Sequence, residues 1–137
     1  MIPIGLKIWN SDEGLTMTED QKNDFANAIL LRRNGDFDGA VATLQKLSQE
    51  LPQSVIVALT LGDTYSDLKQ LEVALSYFSK AVFLKPASEI ASLALFHCLL
   101  KLDRSDDAFD EMRRFLTDND SEEYKQLLDS INNDTVN

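Results

Sequence analysis

Cysteine, histidine and tryptophan occur once each in this 137-residue chain, which also has only 3 Pro and 5 Gly. One cysteine cannot close an internal disulfide, and so little Pro and Gly excludes collagen-like and low-complexity classes. His97 and Cys98 are sequence neighbours. They point about 100° apart around a helix and cannot work together as nucleophile and base. No G-x-S-x-G, H-E-x-x-H or phosphate-loop pattern occurs. We therefore expect no catalytic residue, no metal and no cofactor, with Cys98 a small buried hydrophobe. The acidic stretch 118–123 lacks the spacing of a calcium loop, and its carboxylates suit a helix start instead.

Basic residues are also scarce, 13 against 23 acidic ones, for a net charge of −10. Such a chain repels phosphate backbones and anionic membrane surfaces, so neither nucleic acid nor membrane is expected as a partner. No apolar run reaches 18 residues, and mean hydropathy is −0.20. Residues 1–9 (MIPIGLKIW) are apolar but too short to span a bilayer, and Lys7 stands at the wrong end for a secretion signal. The expected location is the cytoplasm. The acids are uneven: residues 102–137 hold 11 against 4 basic groups, with Asp103, Asp106, Asp107, Asp110 and Glu111 expected on the outer side of one helix. A solvated face accounts for such a cluster, and steering of a basic partner is the alternative.

Sustained alternation of apolar and polar residues is missing, so strands are not expected. Apolar residues recur instead at three- and four-residue spacing, interrupted by short turn signals. Thr18-Glu19-Asp20-Gln21 is a capping box, and Asn34-Gly35 stops the helix it opens. Further helices follow from Asp36 to about Glu50, Ser54 to about Leu68, Leu71 to about Leu84, Ser88 to about Leu102, Ser105 to about Leu116 and Ser121 to about Asn132. That makes an all-α chain of about seven helices, with residues 1–17 an apolar segment and hinge, one domain over 18–132, and a frayed tail at 133–137.

The helices repeat. Pro52 and Pro86 are 34 residues apart, as are Ala28 and Gly62, Leu44 and Phe78, and Leu47 and Ala81, while Ala40, Ala74 and Ala108 form a triplet. This pattern resembles the tetratricopeptide repeat family, most closely in Leu61-Gly62-x2-Tyr65, Ala74-x3-Phe78, Ala81 and Pro86. The family's Trp is missing, with Asp24, Ala58 and Ser92 in its place, and the third unit departs at Phe96 and Asp120. The resemblance implies a right-handed superhelix of antiparallel helix pairs at about 21–52, 55–86 and 89–120, with 121–132 as the capping helix.

The resemblance also implies a concave face lined by the first helix of each pair. Its residues here are Lys22, Phe25, Ile29, Arg32 and Arg33, then Ile56, Leu59, Asp63 and Asp67, then Ile90, Leu93, His97 and Lys101. The positions that clamp a chaperone's terminal carboxylate in part of the family hold Phe25, Ile29, Thr60, Ile90 and Ala94, which cannot do so. What stands there is a strip of Phe25, Ile29, Ile56, Leu59, Ile90 and Leu93, too apolar to stay uncovered. Some of these are core, or residues 1–9 cover the strip in cis or bridge a homodimer, or a partner's apolar segment docks there. A broad strip favours the homodimer, and Trp9 is then either an anchor or a packing residue. The expected role is a non-catalytic protein-interaction module of chaperone or adaptor type. The alternative is an immunity protein or antitoxin whose acidic face covers a basic toxin.

Overall fold

Five of the helices start where a short polar side chain accepts a backbone N–H left free in the first turn. Thr18, Asp36, Ser54, Ser88 and Ser121 each accept the backbone N–H three residues on, at 2.9–3.3 Å. Thr18 completes its capping box, with its own N–H donating to Gln21 Oε1 at 3.0 Å. The computed structural model describes residues 16–136. These form α1 (Glu19–Arg33), α2 (Phe37–Glu50), α3 (Val55–Asp67), α4 (Leu71–Leu84), α5 (Glu89–Lys101), α6 (Ser105–Asp118) and α7 (Glu122–Val136). No strand occurs among the described residues. The last helix runs past its expected end at Asn132, so residues 133–136, expected as a frayed tail, are helical. The reason is local: neither Gly nor Pro follows Ile131 to stop it. Residues 1–9 lie outside the described residues.

The turn inside each helix pair is built the same way three times. Gly35, Lys69 and Asp103 all have positive φ, at 86°, 62° and 59°. The next residue in each case donates its N–H five residues back: Asp36 to Leu31, Gln70 to Tyr65 and Arg104 to Leu99, at 2.8–2.9 Å. This left-handed closure satisfies the last carbonyls of the first helix and reverses the chain into the second.

Neighbouring helices pack in sequence order, so α1, α3 and α5 run parallel to one another and antiparallel to α2, α4 and α6. Ala28, Ala40, Ala74 and Ala108 are fully buried where helices cross. Gly62 lets the Phe78 ring come up against α3, in space that no side chain at 62 could share. A small cluster of Ala28, Leu44, Leu47, Leu51, Val57 and Leu61 holds the first pair to α3. A larger one extends from α3 to α7 through Phe78, Leu95, Phe96, Met112, Phe115 and Tyr124.

A polar knot closes the C-terminal end. Ser92 Oγ donates to Glu111 Oε2 at 2.7 Å and lies 2.8 Å from Tyr124 Oη. Since the serine proton points to the carboxylate, the tyrosine hydroxyl is the donor in the second bond. Arg114 holds both Glu111 oxygens, at 2.8 and 2.6 Å. Ser92, where the family's repeat carries Trp, thus fastens α7 through Tyr124.

Candidate protein-binding face

The C-terminal ends of α1 and α3 are pinned together by Arg32 Nε donating to Asp67 Oδ2 at 2.6 Å. Asp63, one turn back on α3, faces Arg32, Asp67 and, across the groove, Lys101 of α5. Desolvation in the groove floor, with the like charge of Asp67, raises its carboxyl above the ordinary range, while Arg32 and Lys101 pull it back. Its side chain still reaches solvent. Asp63, Ser66, Phe78, Ala94, His97, Cys98, Leu100 and Lys101 line one cavity of about 460 Å³ between α3, α4 and α5. A second, of about 360 Å³, lies between Ile29, Arg32, Arg33, Phe37 and Asp67. His97 Nε2 lies 3.9 Å from Glu123 Oε1, which carries the face across to α7.

Of the residues the resemblance implied, Asp63, His97 and Lys101 line the larger cavity and Ile29, Arg32 and Arg33 the smaller one. The structure divides the apolar strip. Leu59 is buried in the core at 9% exposure, and Leu93 packs against the same cluster. Phe25 packs against the smaller cluster. Only Ile56 and Ile90 stand open, at 38% and 71%. The strip is narrower than six residues because side chains at 59 and 93 tilt into the seams between helices. The partnership of Arg32 with Asp67 was not anticipated. Its one trace in the sequence is a spacing of 35, one repeat plus one residue.

Cys98 is buried, and desolvation raises its thiol above the ordinary range. The acidic cluster on α6 differs from expectation. Glu111 turns inward to Ser92, Tyr124 and Arg114, and is 8% exposed. Asp107 pairs with Arg104, and Asp110 pairs with Arg113. Only Asp103 and Asp106 of the five acids remain outside these pairs. No group of three metal-ligating side chains, and no helix long and apolar enough to cross a membrane, occurs among the described residues.

No family profile matches the chain, and neither does any curated protein. Solved structures do. A crystal structure of MamA superposes with a TM-score of 0.67 at 29% identity over 74% of this chain. The chain spans 55% of that MamA structure. A monomeric mutant of IFIT1 with Gppp-AAAA gives a TM-score of 0.69 at 22% identity, over 83% of this chain and 29% of that one. The Yersinia enterocolitica type III secretion translocator chaperone SycD gives 0.68 at 14% identity, over 85% of this chain and 89% of that one. Three helix pairs repeating at 34 residues, closed by a seventh helix and superposing on these structures, give the chain a tetratricopeptide-repeat-like fold.

Proposed function

We propose that the chain is a non-catalytic protein-interaction module that holds a segment of a partner in the groove of α1, α3 and α5. The observation that carries this is the cavity at Asp63, His97 and Lys101, which sets the opposite charges of Asp63 and Lys101 beside apolar walls from Phe78, Ala94 and Leu100. Such a floor suits a peptide with apolar side chains and one or two charged ones. The shared fold with a secretion chaperone is compatible with a chaperone or adaptor role. The rival reading, an acidic face that neutralises a basic toxin, loses support on α6, where Asp107, Asp110 and Glu111 already have basic partners.

The test is selection of ten-residue peptides from a displayed random library on the full chain. Peptides captured in the groove should bind far more weakly to Asp63→Arg and to Lys101→Glu, with unchanged circular dichroism. Binders indifferent to both changes but lost in Asp106→Lys would overturn the groove and favour the acidic face.

A further inference from the structure

Among the described residues, the carboxylates of the groove are matched unequally. Asp67 accepts from Arg32 at 2.6 Å, and Glu123 lies 3.9 Å from His97. Asp63 makes neither a hydrogen bond nor an ion pair. Four influences act on it, in the order desolvation, Arg32, Asp67 and Lys101, and the first prevails. The two cations in view therefore do not offset what its charge loses by leaving water. Such a carboxylate gains from a cation brought to it, because part of its desolvation precedes the partner's arrival. An anion arriving at Lys101 gains less, since that side chain is exposed and pairs made in water are worth little. The wider field has the same preference, with a net charge of −10 drawing cations toward the chain.

The cavity of about 460 Å³ supplies the other half of the fit, for Phe78, Ala94 and Leu100 line it together with Asp63. A carboxylate beside an apolar wall matches the side chains of lysine and arginine, which bury a methylene stem and carry their charge at the tip. We propose that the segment held in the groove carries a lysine or arginine whose stem lies along Phe78, Ala94 and Leu100 and whose head group meets Asp63. This rests on the groove reading above and makes it specific, since the partner is then basic at the position that enters the cavity. Lys101 is left to the carbonyl oxygens of the same segment, for which its ammonium has only donors.

The probes are mixtures of ten-residue peptides, random in Ala, Leu, Ser and Thr except for one fixed central residue, which is Arg, Lys, Gln or Glu. Retention on the immobilised full chain should favour the Arg and Lys mixtures over the Gln and Glu mixtures by about tenfold or more. Asp63→Asn keeps the shape and loses the charge, and should erase that preference. Asp63→Lys should reverse it toward Glu. Asp106→Asn, at an exposed acid of α6 outside any ion pair, should leave it intact, which separates a contact in the groove from attraction by net charge. Ala94→Leu fills the cavity and should lower retention of the Arg and Lys mixtures with unchanged circular dichroism. Ser66→Leu narrows the same cavity from α3 and serves if Ala94→Leu loses helicity. Equal retention of all the mixtures that still falls on filling the cavity would overturn this inference and leave the groove reading standing. A basic preference that survives Asp63→Asn would overturn it as well, with the cation bound elsewhere. Retention of no mixture, or retention indifferent to cavity filling, would overturn the groove reading and this inference with it.

Discussion

A methyl group on Gly62 would stand 2.5 Å from Phe78 Cε1 and 2.7 Å from Cδ1, and the ring, buried in the seam, cannot give way. In an open helix Gly→Ala gains about 1 kcal/mol of helix propensity. Overpacking costs about 1–3 kcal/mol or more. At 2.5 Å from a fixed ring the second effect should win, so Gly62→Ala is expected to lower the stability read by urea denaturation, and Gly62→Leu to lower it further. Adding Phe78→Leu should recover part of the loss from Gly62→Ala. Tyr124 offers a pH signature. Desolvation raises its hydroxyl from 10.0 to about 12. Below pH 10 the phenol is neutral in both folded and unfolded chains, and its contribution is complete. Between pH 10 and about 12 only the unfolded chain releases the proton, so stability falls as pH rises. The loss approaches on the order of 2–3 kcal/mol by pH 12, from two units at about 1.4 kcal/mol each. Tyr124→Phe should cost about 0.5–1.5 kcal/mol at neutral pH. It should also remove this part of the alkaline decline, measured as the difference between the two denaturation profiles.

The intra-pair turn shows what one local motif does when three different residues occupy it. Only the first copy has both favourable residues, Gly35 in the left-handed position and Asp36 as the cap. The second places Lys69 and Gln70 there, the third Asp103 and Arg104, and neither Gln70 nor Arg104 makes a side-chain cap bond. The helix bounds read from the sequence placed all three turns, but only Asn34-Gly35 showed the left-handed residue itself; at Lys69 and Asp103 tertiary packing imposes that conformation. Gln70 has φ −96° and ψ 72°, close to the −85° and 74° of Asp36. Gln70→Asp should therefore stabilise by about 0.5–2 kcal/mol. Lys69→Gly should add about 1 kcal/mol, since the left-handed conformation costs a residue with a side chain roughly that much. Thermal melts of both variants read the outcome, and a lower melting temperature for Gln70→Asp would show that the cap geometry of α2 is not shared by α4.

Small buried residues at one spacing made the array readable: Ala28, Gly62, Ala40, Ala74 and Ala108 sit where the repeat required them. The side chains that decide which surface stays open were not, because exposure at Leu59 or Leu93 depends on a few degrees of helix rotation that periodicity does not resolve. The polar knot of Ser92, Glu111 and Tyr124 was hidden for a different reason, since its members come from three helices at unrelated spacings. The knot and the division of the core have a consequence for the whole molecule. In a linear array each helix is held only by its neighbours, and local stability follows the core each one shares. Helix α1 buries a single side chain fully, Ala28, whereas α5 buries Ala91, Ser92, Leu95, Phe96, Cys98 and Leu99. At the other end Tyr124 fixes α7 to α5 through Ser92, so the C-terminal edge does not open as freely as a terminal helix otherwise would. Native-state hydrogen exchange should accordingly show α1 opening at the lowest free energy, with α2 next, and α3 to α6 close to the global value. Asp67→Asn, which unties Arg32, should lower protection in α1 by less than about 1 kcal/mol, as expected for a pair still partly in water, and leave α5 and α6 unaltered. Tyr124→Phe should act in reverse, loosening α7 with no change in α1. Uniform protection across all seven helices, or loss in α1 from the Tyr124 change, would mean that the array unfolds as one unit and that the two clusters are coupled through Tyr65, the side chain they share.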